Sequence, residues 1–277
     1  MLVFGHRGAC GYLPENTMAS FELGFSLGAD AIELDVVMTK DHKAVILHDS
    51  DLSHMTDIAQ KNFLYSKVEE LNLEDLRQLR VNERYPQARL ESAKSSGKFP
   101  IPTLAEVLGN PQFDGKHLII EIKYGKHFQN LGLDIVSEVA KELSESDWQK
   151  RSISITLESF QFSILRELKK QIGSIVQYVF LSAPEKLPAG RTKLEADLLE
   201  EVSENFDGIA LSIPMLFQPG LVELAKGLGL SVYGYTAAIE TAEGATISWF
   251  EKLIETGVDG LFADQPDVLI KVVGDKS

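Results

Sequence analysis

Two histidines stand where short apolar runs end. His6 follows Leu2-Val3-Phe4 within Gly5-His6-Arg7-Gly8, and His48 follows Ala44-Val45-Ile46 within Leu47-His48-Asp49. An imidazole titrates near neutral pH, so a pair of them can take one proton from a reacting group and return another. Arg7 adds a planar fork suited to phosphate oxygens, and Lys123 adds a compact point charge. His42, His54, His117 and His127 lie in turns or polar stretches and read as structural side chains.

A second signal is acid where a strand should be greasy. In Ala31-Ile32-Glu33-Leu34-Asp35-Val36 the alternation of faces puts Ile32, Leu34 and Val36 on one side and both carboxylates on the other. Leu118–Lys123 repeats the pattern, with Ile120 and Ile122 opposed to Glu121 and Lys123. Buried carboxylates are costly unless paired or bound to a cation. Glu33, Asp35 and Glu121 together form an oxygen cage suited to a hard divalent ion, Mg²⁺ or Ca²⁺, with Mn²⁺ also admissible. The same pattern fits an interior salt-bridge network in which Arg7 and Lys123 neutralise the acids.

These residues need a frame, and the chain supplies a rhythm of strands and helices. Strands are expected at Leu2–Gly8, Ala31–Val37, Leu118–Lys123, Ser152–Leu157, Ile175–Leu181, Asp207–Leu211, Leu230–Thr236 and Asp259–Ala263. Helices are expected at Glu15–Leu27, Phe128–Leu143, Phe160–Gln171, Pro219–Leu228 and Thr246–Glu255. Such alternation implies a parallel sheet, and eight strands of this kind suit a closed (β/α)8 TIM barrel, with an open doubly wound sheet as the alternative. Strand ends of a barrel are its catalytic face, where His6 and His48 would sit. A further short strand, Ala44–Leu47, precedes a polar insertion at about residues 50–116, which contains helices at Leu73–Arg80, opened by Asn72, and Thr103–Leu108.

The bulk composition fits this frame. The 277 residues suit one barrel domain spanning 1–277, and 44% hydrophobic residues supply one large core. A net charge of −14 argues against nucleic acid but not against a small phosphate ester. Cys10 is the only cysteine, which excludes an intrachain disulfide. With no apolar run long enough for a leader or a stable membrane anchor, the expected location is the cytoplasm. Oligomeric state is not legible.

The ordered set Gly5-His6-Arg7-Gly8, Pro14-Glu15-Asn16-Thr17, Glu33-Leu34-Asp35-Val36, His48-Asp49 and Glu121-Ile122-Lys123 resembles the signature of glycerophosphodiester phosphodiesterases. Ile101–Leu108, Ser159-Phe160 and Gly257–Gly260 followed by Asp264 and Pro266 extend the likeness over nearly the whole chain. The resemblance implies metal-dependent cleavage of a glycerophosphodiester into glycerol 3-phosphate and an alcohol. It implies Glu33, Asp35 and Glu121 as ligands of one divalent cation, His6 and His48 as acid–base pair, and Arg7 and Lys123 on the phosphate. Glu15 and Asn16 would support that set, and Tyr235 would line the substrate pocket. Two departures concern the alcohol side of the pocket: Tyr235-Thr236-Ala237-Ala238 replaces a Trp-Thr-Val-Asn run, and Ala263-Asp264-Gln265-Pro266 replaces Thr-Asp-Tyr-Pro or Thr-Asp-Arg-Pro. Competing expectations are a lysophospholipase D-like or cyclic-phosphate-forming lyase, and a non-catalytic phosphodiester-binding relative.

Overall fold

The computed structural model describes residues 1–187 and 193–276. Eight parallel strands form its centre: β1 (Leu2–Gly5), β2 (Ala31–Met38), β4 (His117–Ile122), β5 (Ser154–Ser159), β6 (Gln177–Ser182), β7 (Gly208–Ser212), β8 (Ser231–Ala237) and β9 (Gly260–Ala263). They pair in chain order, and β1 pairs with both β9 and β2, with Phe4 opposite Phe262 on one side and Ala31 on the other. The sheet is therefore a closed barrel and not an open one. A ninth strand, β3 (Ala44–Ile46), runs antiparallel along the far end of β2, with Val36 opposite Ile46.

Alternation divides the core into two layers. Ile32, Leu34, Val36, Leu118, Ile120, Ile122, Ile155 and Leu157 face outward and pack under the helices. Phe4, Ala31, Ile119, Val179, Leu181, Ala210, Tyr233 and Phe262 fill the interior, where Phe4 meets Tyr233 and Phe262 edge-on at 5.0 Å each. Each such large side chain contributes about 1.5–3 kcal/mol on burial. The inner layer is apolar toward one end of the barrel. At the end where the strands finish, the same inward face carries Glu33, Asp35, Glu121 and Glu158, all buried.

Several boundaries differ from those read in the sequence, each for a local reason. The expected helix at Phe128–Leu143 is two helices, Gly125–Asn130 and Ile135–Glu145. Gly132 breaks it with a positive φ, and Asp134 caps the second part through the Ser137 amide. The first helix begins at Met18, where Thr17 accepts from the Ser20 amide. Helix Leu73–Arg77 ends three residues early, because Val81 leaves it to bridge Thr56 and Phe99. β5 starts at Ser154, two residues late, after a turn that holds Ser152 at positive φ. Helices Ala196–Asn205 and Pro266–Lys276 complete the outer ring. Among the described residues no helix is long and apolar enough to cross a membrane.

Between β3 and β4 the chain makes short helical turns and isolated bridges, Asp51 with Lys67, Thr56 with Val81, and Val81 with Phe99. Its segment Glu83–Arg89 reaches the mouth of the barrel, where Arg84 and Arg89 contact residues that follow β1, β3 and β9.

Candidate active site

Directly after β1 the backbone turns through Gly5-His6-Arg7-Gly8. A side chain on Gly5 would stand 2.5 Å from the Gly8 carbonyl oxygen, and one on Gly8 would meet the Ser20 backbone. Gly8 also has positive φ, as does Arg7, so the turn needs glycine at both ends. This turn aims the Arg7 amide at Glu33, which accepts it at 2.9 Å. The Arg7 guanidinium donates to Glu15 at 2.9 Å and lies 3.1 Å from Asp35. Only 13% of that side chain is exposed, so what Arg7 can offer a phosphate is the part not held by the two acids.

Each histidine is braced by a carboxylate. His6 Nδ1 lies 2.6 Å from Asp264 Oδ1, and His48 Nδ1 lies 2.5 Å from Asp49 Oδ1. A carboxylate only accepts here, so both rings carry their proton on Nδ1 and turn Nε2 toward the cleft. The Lys123 ammonium donates to His48 Nε2 at 3.1 Å, consistent with that tautomer. Burial pushes both imidazoles below their ordinary value, further lowered by the Arg7 charge and only partly offset by their acidic neighbours. Asp264 and Asp49 go the other way. Burial would raise them, but the histidine and arginine partners hold both carboxyls well below the usual range.

Those arginines come from the insertion. Arg89 bonds Asp264 Oδ2, the Cys10 carbonyl at 3.1 Å and Glu240 at 2.8 Å. Arg84 grips Glu15 through two nitrogens, at 2.7 and 3.1 Å, and Asp49 through a third at 2.7 Å. Glu15 is thereby held down to about 2 despite its burial, by Arg7 first and then Arg84.

The acids on the inner face divide into two groups. Asp35 is claimed by neighbours: Asn16 donates to it at 2.8 Å and accepts from its amide at 3.1 Å, and Lys123 stands 3.5 Å away. Burial would raise its carboxyl, but Arg7, His48 and Lys123 keep it well below the usual range. Glu33, Glu121 and Glu158 instead converge, each presenting an oxygen within 4.8 Å of the others. Burial first, and then the negative charge of Asp35 and of one another, push Glu33 and Glu158 well above the ordinary carboxylate value; burial and Asp35 bring Glu121 up to about 7. Glu158 Oε2 and Asp35 Oδ1 are buried with no hydrogen-bond partner. Four buried carboxylates thus share two buried cations, Arg7 and Lys123, the latter 2.9 Å from Glu121. An all-oxygen set with orphaned lone pairs and surplus negative charge fits a hard divalent ion. A second group, His6, Cys10 and Asp264, does not fit one, because the Arg89 cation already donates to Cys10 and Asp264.

All ten residues singled out in the sequence meet at this mouth. His6 and Tyr235 line one small cavity with Glu33, Glu121, Glu158 and Phe160, while the Tyr235 hydroxyl donates to the Ser182 carbonyl at 2.8 Å. Sequence reasoning missed Glu158, Arg84 and Arg89, and gave Asp49 and Asp264 no role. Glu158 was findable: Ile155-Thr156-Leu157-Glu158 has the alternation of β2 and β4, hidden only by placing β5 two residues early. Arg84 and Arg89 carry no such signal, lying in an irregular loop.

Comparison with known proteins agrees with this geometry. Residues 6–268 match the Glycerophosphoryl diester phosphodiesterase family. A glycerophosphodiester phosphodiesterase of Caldanaerobacter subterraneus subsp. tengcongensis is 31% identical, over 98% of this chain and 97% of that one. One from Haemophilus influenzae is 27% identical, over 96% and 88%. Among solved structures, a protein of Silicibacter pomeroyi DSS-3 superposes with a TM-score of 0.82 at 25% identity, covering 100% and 94% of the two chains. A phosphodiesterase of Oleispira antarctica shares the fold, with a TM-score of 0.75 at 22% identity over 99% and 97%. With the match running from the first histidine to the helix after the last strand, the chain belongs to the glycerophosphoryl diester phosphodiesterase family and is an enzyme of that kind, a phosphoric diester hydrolase.

Proposed function

We propose that this enzyme splits glycerophosphodiesters into sn-glycerol 3-phosphate and a free alcohol, using His6 and His48 for proton transfer beside one divalent cation. The observation that carries the reading is the placement of two carboxylate-braced imidazoles around one buried cluster of acids. The Oleispira antarctica enzyme was solved with the product sn-glycerol-3-phosphate, the product assigned here.

Glu33, Glu121 and Glu158, with Asp35 alongside, would hold the ion, which would be Mg²⁺, Ca²⁺ or Mn²⁺. When bound it supplies positive charge to the phosphate oxygens as negative charge develops there. The chain's own residues do the rest. Arg7 and Lys123 fix the phosphate from the side of Asp35 and add charge that needs no reorganisation. His6, which shares a cavity with the three glutamates, takes the nucleophile's proton on Nε2 as the new P–O bond forms. A substrate phosphate draws the Lys123 ammonium away from His48, so that Nε2 can take a proton from solvent and pass it to the departing oxygen as the old P–O bond breaks. Asp264 and Asp49 keep each Nδ1 proton in place and stabilise the imidazolium form when it arises. Tyr235 and Phe160, 6.0 Å apart and edge-on, wall the cavity and bear on the choice of alcohol. The setting proposed is the cytoplasm, since the single, buried Cys10 needs no oxidising compartment.

Phosphorus NMR of glycerophosphocholine, glycerophosphoethanolamine and lysophosphatidylcholine, each with Mg²⁺, Ca²⁺ and Mn²⁺ in turn, tests the reading. Glycerol 3-phosphate as the end product from the first two supports it. A cyclic phosphate that accumulates as end product, or turnover confined to lysophosphatidylcholine, replaces it with the lyase or lysophospholipase D reaction.

A further inference from the structure

The two insertion arginines have partners that are too particular for a generic lid. Asp264 and Asp49 each spend one oxygen on a histidine Nδ1 and the other on an arginine from the segment Glu83–Arg89. Arg89 is tied at the same time to the Cys10 carbonyl after β1 and to Glu240 after β8, with its guanidinium 5.3 Å from the centre of the Tyr85 ring. Arg84 joins Asp49 to Glu15, which in turn holds Arg7. The segment itself is fixed at its root: Glu83 accepts from the Tyr85 amide at 2.8 Å and from the Ser92 hydroxyl, and its own amide donates to Ser96 at 2.9 Å. Every link in both relays is a charge-assisted hydrogen bond, the strong kind with a fixed direction.

Resting on the two-histidine reading above, we propose that Arg84 and Arg89 are positioning residues: one loop of the insertion locks both catalytic imidazoles in the Nδ1–H tautomer by gripping the carboxylates behind them. His6 and Asp264 directly follow the barrel strands β1 and β9, and His48 and Asp49 follow β3, but none of these strand ends supplies either arginine. A carboxylate without its arginine keeps its charge yet gains torsional freedom, and a histidine behind it loses its single orientation. The insertion is then part of the catalytic apparatus. Because Arg84 and Arg89 act on different histidines, the two effects are separable.

The test is a set of variants of the whole chain, Arg84→Gln, Arg89→Gln, His6→Ala and His48→Ala. Turnover of glycerophosphocholine is measured in each, and long-range ¹H–¹⁵N spectra of the imidazoles are recorded for wild type and the two arginine variants. Each arginine variant should lose kcat on the order of 10²-fold with KM changed by less than about threefold. Arg89→Gln should move only the His6 nitrogens from the Nδ1–H pattern toward a mixture, and Arg84→Gln only those of His48. If Arg89→Gln does not fold, Arg89→Lys reads the same assignment, since an ammonium cannot present the fork that spans Asp264, Cys10 and Glu240. Unchanged tautomers and kcat in the arginine variants, with both alanine variants inactive, overturn the clamp and leave the two-histidine reading standing. Turnover that survives in either alanine variant overturns that reading, and the clamp with it.

Discussion

Replacing Asp264 by asparagine exchanges one carboxylate oxygen for an NH2 group and, on this geometry, inverts the tautomer of the histidine behind it. Asp264 Oδ1 accepts from His6 Nδ1 at 2.6 Å and Oδ2 accepts from Arg89, with both Asp264 and Arg89 side chains 6% exposed. An amide has one oxygen and one NH2, and Arg89 can only donate. The amide oxygen must therefore turn to Arg89, leaving the NH2 against His6 Nδ1. That nitrogen becomes an acceptor, the ring proton moves to Nε2, and His6, the proposed base, loses the lone pair that faces the cleft. A wrong tautomer of this origin costs about 10⁴-fold in kcat, or about 5 kcal/mol of transition-state stabilisation. The stability cost is smaller, about 2 kcal/mol for one weakened charged hydrogen bond, because Arg89 keeps Glu240, the Cys10 carbonyl and the amide oxygen. The assay is kcat on glycerophosphocholine in protein shown to be folded by its thermal transition. A second substitution sharpens it: with Arg89→Met added, the amide is free to flip its oxygen toward His6. The double variant should recover activity relative to Asp264→Asn alone by about tenfold, within the coupling expected of touching residues. A kcat within about threefold of wild type for Asp264→Asn, or a double variant no better than the single, would refute the reasoning.

Two further predictions concern other parts of the mouth. Glu158→Gln should weaken binding of Mn²⁺, followed by electron paramagnetic resonance of the free ion, by about tenfold or more, roughly 1.4 kcal/mol; an unchanged affinity removes Glu158 from the ion site. Glu15, held at about 2 against an ordinary 4.5, contributes about 3 kcal/mol that is fully present above pH 4.5 and lost as the pH falls toward 2. Urea unfolding between pH 6 and pH 3 should accordingly show a shallower loss of stability in Glu15→Gln than in wild type, and parallel curves would contradict the assignment.

What the sequence made legible followed from periodicity, and what it hid did not. Alternation in Ala31–Val36 and Leu118–Lys123 placed Glu33, Asp35, Glu121 and Lys123 inward, because a strand's two faces are fixed by its geometry. It could not say which acids would converge. Glu158 joins Glu33 and Glu121, while Asp35 is also held by Arg7, Asn16 and Lys123, an arrangement made by three-dimensional packing. Periodicity alone left closure of the barrel open; the count of eight strands favoured it, and the pairing of β1 with β9 makes it. Helix ends went astray where one residue overrides propensity, as Gly132 does between Asn130 and Ile135. Arg84 and Arg89 were invisible because an irregular loop has no period from which to infer direction, and their partners lie up to 175 positions away.

The proposed reaction needs two imidazoles and an ion held by buried acids acting in one place. Glycerol 3-phosphate release from glycerophosphocholine, measured in wild type before and after chelation and in His6→Ala and His48→Ala, tests it most directly. Activity should vanish with chelator, return with added divalent ion, and fall by at least about 10³-fold in both variants. Hydrolysis that persists in thoroughly chelated protein, or in either variant, would contradict it.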